Sequence, residues 1–300
     1  MPHYIHKVLI LFVILLFQNT HATEEDDKCV SRHEESNFQR IVSIGGDVTE
    51  ILYSLGCEDR IVAIDTGSLY PKSALQQHAN VGYLRTLSAE PILALAPDLV
   101  IAIEAVEPGI VLDQLRQAGV NIVIVPDKNS LEGIYQKVRL IGDTLAINTQ
   151  ADSLVESIKS SYEEVINQVA VIEEKPRIAF LLQAGHGTSM VAGKMTSADE
   201  ILKLSSAINV FKEFDGYKPV NAEAMVKKKP DFVLITERSL SEMGGTKDAV
   251  LSKAEIRLAI DNDRDRIIVM DDLLLLGFGP RTPQAIHKLA SMIHKDLISM

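Results

Sequence analysis

Apolar residues fall along this chain in short runs of strand length, separated by amphipathic stretches of helical length. "RIVSIG" (40–45) reads as a strand and "VTEILYSLG" (48–56) as a helix closed by glycine. "RIVAID", "PDLVIAI" and "VNIVIVP" read as strands, with "SAEPILALA" and "GIVLDQLRQAG" as helices among them. The second half repeats the alternation. Its strands are "PRIAFLL", "PDFVLIT" and "DRIIVMD"; its helices are "SADEILKLSSA", "NAEAMVKKK" and a closing "TPQAIHKLASMIHKDL". In "SADEILKLSSA", Ser197 is placed to cap the helix, with Glu200 as its capping-box partner. Strands alternating with helices at this spacing predict βα units on parallel sheets.

The two halves match at one constant offset. "AEPILALAPDLVI" (89–101) aligns with "AEAMVKKKPDFVL" (222–234), shifted by 133 positions throughout. Glu90 falls on Glu223, Pro97 on Pro230 and Asp98 on Asp231. This predicts two related α/β lobes in one chain. Between them lies "TQADSLVESIKSSYEEVINQVAVIEE" (149–174), without Gly or Pro, whose Leu154, Ile158, Val165 and Val169 fall near helical spacing. As one helix it would be ~39 Å long. The expected fold is α/β: two similar lobes with central sheets, joined by a long rigid helix, with a ligand cleft between them. Ligands of such folds bind outside the carboxyl ends of the strands. The expected divisions are 1–22, 23–148, 149–174 and 175–300.

The first of these is a leader. A weakly basic "MPHYIHK" precedes ten uninterrupted apolar residues, "VLILFVILLF" (8–17), then "NTHA" and an acidic stretch. That is a secretory signal pattern, with cleavage expected after Ala22. Ten apolar residues fall short of the roughly 20 a spanning helix needs. The remaining chain carries a net charge of −12 once Lys7 leaves with the leader, against −11 for all 300 residues. With no basic stripe, nucleic acid is excluded as an expected partner. A disulfide between Cys29 and Cys57 is chemically allowed in an exported chain, but no spacing rule sets its geometry.

Four loops after strands carry chemistry. "DTGSLYPK" holds Tyr70 and Lys72, "QAGHGTSMVAGK" holds His186, "TERSLSEMGG" holds Arg238, and "LLLLGFGPRTP" holds Arg281. Pro71 biases Tyr70 toward an extended backbone. No histidine-rich cluster suggests a bare metal cage, and no P-loop or G-x-S-x-G elbow is present. A tyrosine can hold haem iron as phenolate, with Lys and Arg pairing propionates through charge-assisted hydrogen bonds. Loop tyrosines are ordinarily half-buried packing residues, and single arginines ordinarily surface groups.

Together, "VGYLRTLSAEPILALAPDLVIA", "DTGSLYPK", "MVAGK" and "LLLLGFGPRTP" resemble the periplasmic haemin-binding proteins of bacterial ABC haem importers. The resemblance runs from about residue 40 to 297. Its broader Ala-Glu…Pro-Asp-Leu-Val frame is shared with siderophore and vitamin B12 binders. It implies that Tyr70 is the axial ligand of ferric haem (haem b), with His186 as a second ligand. It also implies Lys72, Arg281 and Arg238 as propionate partners, and Glu90 and Glu223 as contacts to an inner-membrane ABC permease. The protein would then be a monomeric periplasmic carrier, not an enzyme. The alternatives are a ferric-siderophore or corrinoid carrier of the same fold, or an exported α/β hydrolase using His186 as general base.

Overall fold

The computed structural model describes residues 38–182 and 189–294. The leader, Cys29 and His186 lie outside them. The first lobe contains strands β1 (Ile41–Ile44), β2 (Ile61–Ile64), β3 (Ala79–Asn80), β4 (Leu99–Ile103) and β5 (Asn121–Val125). They form one sheet in the order β3-β2-β1-β4-β5, with every pairing parallel. Helices α1 (Gly46–Ser54), α2 (Ala74–Gln77), α3 (Ala89–Leu93), α4 (Ile110–Gln117) and α5 (Leu131–Thr144) accompany them. β4 is buried along its whole length, as expected of a parallel strand covered on both faces.

Helix α6 (Asn148–Ala170) is the connector between the lobes. It begins one residue before the expected start and stops before Glu173 and Glu174, whose charge would oppose the negative end of a helix dipole. Its 23 residues give a rod of about 34 Å. Ala151, Val155 and Ile158 pack into the first lobe's core, with Leu154 beside them. Val169 enters the second lobe's core, with Tyr162, Val165 and Ile166 against it. The helix is therefore seated in both lobes by one apolar stripe.

The second sheet comprises β6 (Arg177–Leu182), β7 (Met190–Ala192), β8 (Ile208–Asn209), β9 (Tyr217–Pro219), β10 (Phe232–Thr236) and β11 (Ile267–Met270). Its order is β11-β10-β6-β7-β9, with β8 paired to β6. Along β6, Ile178 and Phe180 join one core cluster while Ala179 and Leu181 join another, so the sheet is covered on both faces. β7 and β9 run antiparallel, which departs from the all-parallel expectation. They are three-residue strands, too short to carry an alternation, and Pro219 is tolerated because β9 lies at the edge. Helices α7 (Ser197–Leu204), α8 (Ala222–Lys228), α9 (Glu237–Glu242), α10 (Lys247–Leu251), α11 (Ala254–Arg257), α12 (Asp272–Leu276) and α13 (Thr282–Ile293) complete the lobe.

The α7 cap differs from the expected one. Thr196, in extended conformation, accepts the Asp199 N–H at 3.1 Å. Ser197 is the first helical residue, and its hydroxyl instead donates to Asn129 Oδ1 of the first lobe at 3.0 Å.

The internal repeat has a physical basis. Asp98 accepts the backbone N–H groups of Gln39 and Arg40, while Asp231 accepts that of Arg177. The Arg40 guanidinium donates to the carbonyls of Leu95 and Ala96, and that of Arg177 to those of Lys228 and Lys229. In each lobe the aspartate and an arginine pin the start of one central strand to the turn before the next. Cys57 is a buried thiol, raised above its ordinary pKa by burial; Cys29, with which a disulfide is chemically allowed, lies outside the described residues.

Candidate ligand-binding site

All five strands of the first sheet are parallel, so the loops following them share one edge. The loop after β2 is rooted by Asp65. Its Oδ1 accepts the Gly45 N–H at 3.0 Å and the Ser68 hydroxyl at 2.7 Å, and its Oδ2 accepts the Gly67 N–H at 2.8 Å. Hydroxyl contacts continue from Ser68 to Thr49 and from Thr49 to Ser43, each 2.7 Å long and buried. Gly46 is needed where this loop crosses α1. A Cβ there would meet the Gly67 carbonyl at 2.6 Å and Leu273 of the second lobe at 2.7 Å.

Burial pushes the Asp65 carboxyl above the usual range, opposed by its hydrogen bonds and reinforced by nearby Asp47. A raised carboxyl binds its proton more tightly in the folded state. Its contribution to stability is thus full below about pH 4, the unfolded value, and lost as pH rises through the folded pKa. A ¹³C titration of Asp65 is expected to find it protonated at a pH where a peptide aspartate is ionised; a peptide-like value would refute this.

Beyond this root the loop turns outward. Leu69 and Tyr70 are exposed, Tyr70 to 40%, and the Tyr70–Pro71 bond is cis. Tyr83 follows β3 and Ile110 follows β4, and both are also exposed. Large apolar side chains left bare on one sheet edge suit an apolar ligand face. Lys72 is exposed two residues past Tyr70.

From the second lobe, Arg281 reaches into this group. Its Cζ lies 3.5 Å from the centroid of the Tyr70 ring. One guanidinium N–H donates to Glu50 Oε2 at 2.9 Å, and its backbone N–H donates to Glu50 Oε1 at 2.9 Å. Glu50, on α1, is only 3% exposed, and burial pushes its carboxyl up against the pull of Arg281. Arg238 follows β10. Its Nε donates to Glu242 at 3.1 Å, and its side chain is otherwise largely in solvent.

The structure thus brings Tyr70 and Arg281 together, leaves Lys72 exposed on the loop after β2 and Arg238 exposed in the first turn of α9, and places Glu90 and Glu223 apart from them. Both glutamates are exposed in the first turns of α3 and α8. His186 lies outside the described residues.

Sequence reading missed Glu50, Asp65 and a buried ion pair between Lys137 on α5 and Asp47 on α1. Two acids within an otherwise apolar helix, Asp47 and Glu50, were the available signal. Elsewhere, a cavity of 550 Å³ lined by Tyr162, Lys175, Lys203 and Lys212 sits between α6 and α7, and none of the expected site residues lines it.

Two α/β lobes bridged by a helix, with exposed binding groups on the loops after their strands, define a solute-binding protein. The chain belongs to the periplasmic binding protein family, which matches residues 41–257. Among solved structures it is similar to the periplasmic haem-binding protein RhuT of Roseiflexus sp. RS-1 in apo form. The two share 34% identity at a TM-score of 0.83, over 87% of this chain and 99% of that one. It is 28% identical over 262 residues to YvrC of Bacillus subtilis, an uncharacterised ABC transporter substrate-binding lipoprotein, covering 86% of this chain and 81% of the relative. It is 29% identical over 218 residues to the vitamin B12-binding protein of Vibrio campbellii, covering 69% and 74%.

Proposed function

We propose that this protein captures ferric haem in the periplasm and delivers it to an inner-membrane ABC permease. The observation that carries this reading is Tyr70: a phenol held outward on a loop rooted to a buried aspartate, among exposed apolar side chains on the sheet edge. Ferric iron favours a phenolate ligand, and the bare apolar groups suit a porphyrin face. The similarity to RhuT, named as haem-binding, supports the same cargo. Lys72 and Arg238 are the cations offered to the propionates, since Arg281 is already engaged by Glu50. His186 is the second candidate iron ligand. The protein works as a monomer without turnover, and reaches the periplasm through a leader removed after Ala22.

Titrating haemin into the mature protein is expected to give a saturable Soret shift, with cyanocobalamin failing to compete. No shift would sink the haem reading. Binding of cyanocobalamin instead would favour the corrinoid reading, which the Vibrio relative's name supports.

Glu90 and Glu223 are the permease contacts, one on each lobe at matching positions of the repeat. Charge reversal of both, Glu90→Lys with Glu223→Lys, is expected to leave haemin binding unchanged. It should lower haem uptake by reconstituted permease about tenfold or more, given the cost of like charges in an interface. Unchanged uptake would remove this assignment.

A further inference from the structure

Before Tyr70, the loop is anchored to its own lobe through Asp65 and Ser68. Past that point, the ring contact described for the Tyr70 side chain comes from the other lobe, through Arg281. Arg281 is itself held from the first lobe, by both oxygens of Glu50. The guanidinium is thus a key inserted from the second lobe between two elements of the first. The segment carrying it is firmly seated: Phe278 is buried in the first lobe's core, and a Cβ at Gly279 would stand 3.3 Å from Glu50 Oε1.

Moving Arg281 to a ligand propionate would strip the guanidinium from a carboxylate that is 97% hidden from solvent, at the cost of a buried charge deprived of its ion partner. Arg281 therefore stays on Glu50 and serves Tyr70.

We propose that Glu50 and Arg281 form an interlobe latch on Tyr70, Glu50 acting as the positioning residue that keeps the guanidinium on the phenol ring and thereby steadies the hold on haem iron. This rests on Tyr70 being the iron ligand.

The test is a double-mutant cycle on the full mature protein, reading haemin transfer to excess apomyoglobin. Glu50→Gln keeps the shape and removes the charge. It is expected to speed haemin loss about tenfold with Tyr70 present, in the range of a desolvated cation–ring contact, and to have little effect in a Tyr70→Phe background. Equal acceleration in both backgrounds, or none in either, overturns the proposal. Should Glu50→Gln fail to fold, Arg281→Lys carries the same comparison, since it keeps the charge but loses the flat stack.

A second readout needs no ligand. In empty protein carrying ring-¹³C tyrosine, with Tyr70 assigned by Tyr70→Phe, the Tyr70 signals are expected to move on Glu50→Gln; unmoved signals overturn the latch. If wild type binds no haemin, the haem reading fails while this spectrum still decides the contact.

Discussion

Replacing Tyr70 by alanine is expected to lower haemin affinity about 100-fold, or roughly 3 kcal/mol, and to abolish the ferric–phenolate absorption. The variant loses the oxygen that would bind iron and the ring that Arg281 covers. Residual binding is expected, because burying the porphyrin faces against Leu69, Tyr83 and Ile110 does not depend on the phenol. Tyr70→Phe separates the two losses, since it keeps the ring under the guanidinium and removes only the oxygen. Its spectrum should match that of the alanine variant. An unchanged Soret spectrum and affinity in Tyr70→Ala would rule out Tyr70 as the ligand while leaving haem as the cargo. The fold should survive either change, because Tyr70 lies beyond the hydrogen-bonded root of its loop.

The largest loss of stability is expected from Lys137→Met. Lys137 is fully buried, and its ammonium is paired with the equally buried Asp47. Methionine fills much of the same volume but leaves the Asp47 carboxylate without its partner. Breaking one side of a buried pair costs about 3–5 kcal/mol, whereas replacing both sides is close to neutral. Urea unfolding should therefore show a loss of about 4 kcal/mol for Lys137→Met, much of it recovered in the double variant Asp47→Leu/Lys137→Met. A single variant within ~1 kcal/mol of wild type would show that the pair is not the buried contact described here. The pair joins α1 to α5, and α1 also carries Glu50, so its loss is expected to reach the latch as well.

How far the sequence was legible depended on the range of the interaction. β1, β2, β4, β5, β6, β10 and β11 stand out as nearly unbroken apolar runs, which in β1 and β4 follow from burial on both faces. α6 stands out because its stripe serves two cores in succession. The repeat stands out because Asp98 and Asp231 do the same work in both lobes. By contrast, β7 and β9 were hidden: strands of three residues have no period, and their antiparallel pairing to β6 and to each other is set by the tertiary structure. The α7 cap was misplaced by one residue because Thr196, Ser197 and Asp199 all suit a helix start; the extended backbone at Thr196 and the Ser197 contact to Asn129 decide between them.

By itself, the sequence determined the elements, the two-lobe repeat, the bridging helix and the loops on which chemistry could sit. Each follows from local periodicity or from residues close along the chain, where few competing arrangements exist. Only the tertiary structure decided what those residues face. Glu50 and Arg281 are 231 positions apart and meet because Phe278 and Leu273 pack the second lobe's loop against the first. No local pattern encodes such a meeting, since it depends on how two finished lobes fit together. For that reason Arg281, which the sequence offered to a propionate, is found instead between a buried carboxylate and the ring of Tyr70.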